Sequence, residues 1–168
     1  MRILKVLCLA LALMLCGAAL AEGAPTPAEV GAEVDFTLTT LDGEEFRLSE
    51  NRGKVVYLNI WATWCPPCVA EIPDIQKLAE AHPDELIVVG ASVDETSDVV
   101  ADFIEEKGLT YLIGMDEDYR LAALLFPTPG IPESVFIDPN GVVSSIDIGM
   151  MEYDEMEERF QTALGGIE

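Results

Sequence analysis

The hydrophobic positions divide the chain into one long apolar run, Val6 to Leu20, followed by short periodic blocks. Phe36-Thr-Leu38-Thr alternates, Asp42-Gly43 is a tight-turn signal, and Phe46-Arg-Leu48 alternates again, which predicts a β-hairpin. Val55 to Trp61 is continuously apolar, β-branched and aromatic apart from Asn59, the pattern of a central strand buried on both faces. After Cys65 the period predicts a helix to about Ala81, with Val69, Ile72, Ile75 and Ala79 inward and Pro73 bending it. Leu86 to Val93 reads as a second buried strand. Thr96 or Ser97 can cap a helix with Val99, Val100, Phe103 and Ile104 inward, ending at Gly108. Tyr111 to Gly114 predicts a short strand and Asp118 to Phe126 a short helix. Val135 to Asp138 and Val142 to Ile148 flank the turn Pro139-Asn140-Gly141. A last helix spans Asp154 to Leu164, with Tyr153, Met156, Phe160 and Leu164 on one face. The order predicts an α/β fold whose mixed central sheet is flanked by helices, with an N-terminal β-hairpin and no internal repeat.

The front of the chain changes where this domain works. Met1 to Lys5 carries two cations, the apolar run follows, and Ala19-Leu20-Ala21 offers small residues at a cleavage site. That is the three-part pattern of a secretory signal peptide over residues 1–21. The fifteen residues from Val6 to Leu20 fall short of the roughly 20 that span hydrocarbon, which disfavours a permanent anchor. Residues 22–33, rich in Ala, Pro and Gly, read as a flexible approach to a single domain over 34–168.

Charge excludes whole classes. Nine basic against 31 acidic residues give a formal net charge of −22, and cleavage of the leader removes two of the cations. Binding to nucleic acid or to an anionic membrane surface needs a basic face that this chain lacks. Export also sharpens the cysteine count. Cys8 and Cys16 fall in the leader, so the mature chain keeps Cys65 and Cys68 alone. Two cysteines three positions apart close too small a loop to staple a domain of this size, so the pair serves chemistry or a metal.

Trp61-Ala-Thr-Trp-Cys-Pro-Pro-Cys68 places the first thiol where a buried strand gives way to a helix. The positive end of the helix dipole favours a thiolate there, and the thiolate is the attacking species in disulfide exchange. Cys65 is then the exposed nucleophile, and Cys68, one turn on, resolves the mixed disulfide. Pro66 and Pro67 fit the first helical turn but remove two N–H donors near the Cys65 sulfur, which leaves the amides of Cys68 and Val69 to stabilise it.

Asn59 to Cys68, with Pro73 five residues further on, resembles the thioredoxin fold, and more closely the exported TlpA-like and ResA-like thiol-disulfide oxidoreductases. The likeness runs over residues 29–164. It implies a redox-active disulfide with no other cofactor and no metal, protein disulfide or dithiol clients such as apocytochrome c, and a membrane electron donor of the CcdA/DsbD type. It makes Pro132 the cis-proline facing the disulfide and gives Trp64, Pro66 and Ile131 the substrate rim. Glu133-Ser134 departs from the Thr-Thr that often follows that proline. Asn59 stands where thioredoxins carry a buried Asp, so the proton of Cys68 needs another acceptor. Ala91-Ser-Val-Asp-Glu95 is similar to the segment that supplies a glutamate in ResA-like proteins, which makes Glu95 the candidate, with Asp94 beside it and a partly buried carboxyl expected.

Rival readings fit less of the chain. A disulfide oxidase of the same fold shares every motif and differs in redox direction. A copper-delivery protein of the Sco type wants wider thiol spacing and a distal His, whereas His82, the single His, reads as a solvated helix-end residue. A peroxiredoxin needs an upstream Pro before its reactive Cys, and only Thr63 is present. A redox-inert binding module leaves the two thiols without a purpose.

Overall fold

The computed structural model describes residues 27–165; the expected leader with Cys8 and Cys16, and residues 22–26 of the expected flexible segment, lie outside the described residues. The central sheet has five strands in the order β5-β4-β3-β6-β7, made of β3 Val55–Trp61, β4 Leu86–Ser92, β5 Leu112–Met115, β6 Glu133–Ile137 and β7 Val143–Ile148. β3, β4 and β5 run parallel and β6 and β7 pair antiparallel, so the sheet is mixed. A separate two-stranded hairpin, β1 Thr37–Thr39 with β2 Glu45–Arg47, precedes it. Among the described residues the α-helices are α1 Pro66–Ala81, α2 Ser97–Lys107 and α3 Tyr153–Gly165. Among the described residues no helix is long and apolar enough to cross a membrane.

Side-chain alternation along β3 divides the core. Val56, Leu58 and Ile60 face the hairpin residues Phe36, Leu38 and Phe46, with Leu121 and Phe126 closing that side. Tyr57 faces α1 and α3, where it stacks on Phe136 with centroids 4.3 Å apart among Ile75, Leu78, Met156 and Phe160. Trp61 lies between α1 and α2 with Ile72, Val100 and Ile113. β3, buried at every residue, therefore ends on the helix-covered face where α1 and its cysteines begin.

Several expectations shift. On α1 the fully inward positions are Cys68, Glu71, Ile72, Ile75 and Leu78, while Val69 and Ala79 are half-buried. On α2 Val99 is exposed, because Val100 supplies the fully buried contact and Phe103 and Ile104 flank it. The helix expected over Asp118 to Phe126 is a short 3-10 turn, Glu117–Tyr119, running into a π-helical turn, Arg120–Leu125. The break lies at Asp118 and Tyr119, both left-handed at φ 57° and 53°. Asp116 supports the π turn from outside, its carboxylate accepting the N–H groups of Leu121 and Ala122 at 2.8 Å each. A cap reaching five and six residues forward leaves no recognisable spacing in sequence.

Two glycines are required. Gly108 ends α2 in the left-handed region at φ 66°, its N–H returning to the Ile104 carbonyl. Gly114 lets the hairpin bridge to β5 through Thr40, since a Cβ there would collide with the Thr39 carbonyl oxygen. His82 is half-buried rather than solvated: its Nε2 bonds Glu157 at 2.8 Å and its ring lies over Phe160.

Candidate active site

Cys65 occupies the N-cap of α1, where the extended backbone leaving β3 turns into the helix. It is disulfide-bonded to Cys68, with Cα atoms 5.3 Å apart. The pair is more enclosed than the sequence suggested: Cys65 is 4% exposed and Cys68 wholly buried, so Cys65 is the outer sulfur by a narrow margin. The Cys68 N–H donates to Cys65 Sγ at 3.3 Å. The Val69 N–H instead reaches the Cys65 carbonyl at 3.0 Å and contributes nothing to the sulfur. One amide, not two, faces the nucleophile, because Val69 already closes the first i→i+4 bond of the helix. Pro66 and Pro67 occupy the first turn and are exposed.

Three strands bring the remaining parts to this end of the sheet. Trp64, beside Cys65, is 65% exposed, a large apolar surface at the mouth of the site. The loop that carries it is tied to β4 by Asp94. That buried carboxylate accepts Thr63 N–H at 2.9 Å, Thr63 Oγ–H at 2.7 Å and Ser92 Oγ–H at 2.8 Å. The Ile131–Pro132 peptide is cis, Pro132 is buried, and the Ile131 carbonyl oxygen stands 3.7 Å from Cys65 Sγ. Gly149 N–H holds the Pro132 carbonyl at 2.8 Å, which fixes this loop against the end of β7.

The expected buried acid is absent from its assigned place. Glu95 is exposed at the start of the turn into α2, because its neighbour Asp94 takes the inward position beside Ser92 and Thr63. Besides Asp94, Asp116 and Asp138, whose carboxylates each hold backbone N–H groups, the buried acids are Glu71 and Glu133. Glu71, 1% exposed, lies three residues beyond Cys68 and therefore on the same face of α1. Its Oε1 accepts Asn59 Nδ2–H at 2.9 Å and its Oε2 accepts the Met151 N–H at 3.0 Å. Burial pushes its carboxyl up to about 7 against the pull of these two donors. Glu133, 2% exposed and next to Pro132, is likewise pushed by burial to about 7. The signal for Glu71 was its spacing: an acid at i+3 from a buried cysteine points inward unless the helix turns.

Geometrically, a sulfur at a helix N-terminus with a buried partner thiol and a carboxyl on the same helical face supports reversible disulfide exchange with local proton storage. Among the described residues no group of three or more His, Cys, Asp or Glu side chains is arranged to hold a metal ion. Fold and site together define a thiol-disulfide oxidoreductase of thioredoxin-like architecture.

The chain belongs to the AhpC/TSA family, whose model matches residues 30–146. It is similar to the thioredoxin-like protein YneN of Bacillus subtilis, 35% identical over 133 residues covering 74% of each chain. It is also similar to the thiol-disulfide oxidoreductase ResA of Geobacillus kaustophilus, 36% identical over 129 residues, 76% of this chain and 74% of ResA. Among solved structures, a thiol:disulfide interchange protein of the thioredoxin family from Chlorobium tepidum superposes with a TM-score of 0.71. It is 31% identical, and the match covers 86% of this chain and all of the other.

Proposed function

We propose that the protein is exported and reduces disulfides in extracytoplasmic client proteins through Cys65 and Cys68. The leader-like run before the domain supports export, and the membrane electron donor implied by the resemblance to ResA-like proteins supports the direction. The Cys65 thiolate attacks one sulfur of a client disulfide, forming a mixed disulfide and expelling the client's second thiolate. Cys68 then attacks Cys65 Sγ, restores the Cys65–Cys68 bond and releases the client as a dithiol. Two electrons pass to the client, and a membrane donor of the CcdA/DsbD type returns them. Apocytochrome c, whose cysteines must be reduced before haem attachment, is the client class we favour. Trp64, Pro66 and Ile131 receive the client segment around the sulfur.

The observation that carries the chemical reading is Glu71. Cys68 is wholly buried, so burial opposes its ionisation and it needs a base within the fold. Glu71 shares its helical face, is held by Asn59 and Met151, and has a carboxyl poised at about 7. It also lines an open cleft of about 360 Å³ between α1 and the start of α3, through which a proton reaches solvent. The role assigned in sequence to Glu95 passes to Glu71 in this reading.

Two measurements test it. Cys68→Ser, expressed with its leader in a bacterium that makes c-type cytochromes, is expected to accumulate mixed disulfides whose partners include apocytochrome c, while Cys65→Ser traps none. The reduction potential against glutathione separates direction: a value near that of thioredoxin supports the reductase, and one near that of the strong periplasmic oxidants makes the protein an oxidase.

A further inference from the structure

Glu133 is the buried ionisable group that this chemistry leaves unused. It opens β6 directly after Pro132, opposite Ile60 on β3 and Ile148 on β7. Alternation turns its side chain to the face of Val135 and Ile137, across the sheet from Asn59 and Glu71. Its Oε2 is buried with no hydrogen-bond partner, and only the Thr128 hydroxyl acts on the carboxyl.

Among the described residues no neighbouring charge compensates it. On β7, Asp147 lies on the opposite face and pairs with Arg159 of α3. Asp116 is committed to the amides of Leu121 and Ala122, and Glu117, Asp118 and Arg120 are exposed. β3 presents Ile60, and the loop from Thr128 to Ile131 carries no charged side chain. A lone buried carboxylate is costly, so this position favours a bound proton. It follows directly on the loop that meets the redox centre, for Ile131, two residues upstream, brings its carbonyl oxygen to 3.7 Å from Cys65 Sγ.

We propose that Glu133 is a redox-linked proton site that binds a proton when Cys65–Cys68 is reduced and releases it when the disulfide re-forms. A dithiol donor gives up two electrons and two protons and becomes a disulfide. The Cys65–Cys68 bond breaks, Cys68 keeps one proton as a thiol, Cys65 becomes a thiolate, and the second proton goes to the Glu133 carboxylate. The charge of the buried region is thereby unchanged. In the oxidised protein burial already holds the carboxyl at about 7, and a thiolate nearby raises it further.

The test counts protons. Full-length oxidised protein is reduced with dithiothreitol at pH 7.5 in weak buffer with an indicator dye. Wild type is expected to retain about half a proton more per disulfide than Glu133→Gln, while Glu71→Gln keeps the wild-type excess. Because a variant can misfold, the wild-type carboxyl is also followed by ¹³C NMR, and its titration is expected to rise by about one unit on reduction. Equal proton counts in wild type and Glu133→Gln, an excess that vanishes with Glu71→Gln instead, or a carboxyl titration unmoved by reduction would each overturn the proposal.

Discussion

Replacing Glu71 by glutamine isolates the consequence of burying an acid beside Cys68. In the unfolded chain the carboxyl titrates near 4.5, and in the folded oxidised protein near 7. Below the lower value both states are protonated and the side chain is neutral in each. Between the two values the folded protein holds a proton that the unfolded chain has lost, so stability falls as pH rises, and the fall is complete above 7. A displacement of about two and a half units corresponds to about 3 kcal/mol, an order-of-magnitude figure undiscounted for solvent because Glu71 is 1% exposed. The amide of the Glu71→Gln variant does not titrate, and its shape lets it keep the Asn59 and Met151 contacts in part. Urea unfolding of the two oxidised proteins at pH 5, 6, 7 and 8 is therefore expected to give diverging curves. Wild type loses about 2.5 kcal/mol more than Glu71→Gln across that range, the rest of the displacement falling below pH 5, or about 5–10 °C in melting temperature for a domain of this size. Glu133 produces a similar decline in both proteins and cancels in the comparison. The same variant is expected to resolve mixed disulfides about tenfold more slowly near neutral pH and to lose the inflection near 7, the signature of general-base help. Parallel stability curves would show that Glu71 is not titrating in this range, and the proton role would fall with it.

Asp94→Asn replaces one acceptor oxygen of the clamp on Thr63 and Ser92, and is expected to cost about 1–3 kcal/mol. It is also expected to loosen the Trp64–Cys65 loop, read as a changed alkylation rate of Cys65 in the reduced protein with Glu71 titration unmoved. Gly114→Ala drives a Cβ against the Thr39 carbonyl and Leu38, and is expected to cost about 1–3 kcal/mol while accelerating amide exchange in β1 and β2.

Repeating physical patterns made the fold legible. A continuous apolar run announced β3, two turn signals placed both hairpins, and Gly108 marked the end of α2. The π turn at Arg120–Leu125 was not legible, since it depends on an Asp116 side chain reaching beyond any standard cap spacing. The Cys65–Cys68 pair was legible from the strand-to-helix junction and the resemblance, and the cis bond at Pro132 from the resemblance alone. The acids were not. In a chain with 31 of them, an Asp or Glu reads as solvent-facing by default, and that default outweighed the helical spacing of Glu71 from Cys68.

That default failed at Glu71, Asp94, Asp116, Glu133 and Asp138, and at Glu71 and Glu133 it is backbone geometry that overrides composition. Glu71 is inward because the helix that must bury Cys68 and Ile72 leaves position 71 on the same face, and Asn59 of the strand beneath offers it a donor. Glu133 is inward because antiparallel pairing of β6 with β3 fixes its alternation, and Val135 and Ile137 must point into the core. Neither burial serves stability, since each costs free energy once its carboxyl ionises. Their common feature is proximity to the disulfide: one shares a helical face with Cys68, and the other follows the loop that touches Cys65. A disulfide changes its proton count when it gains two electrons, and a buried site cannot exchange protons freely with water. Of the two carboxyls near neutral pH, one on each face of the sheet, Glu71 is in our proposal the base that moves the Cys68 proton during exchange, and Glu133 the site that holds the proton added on reduction.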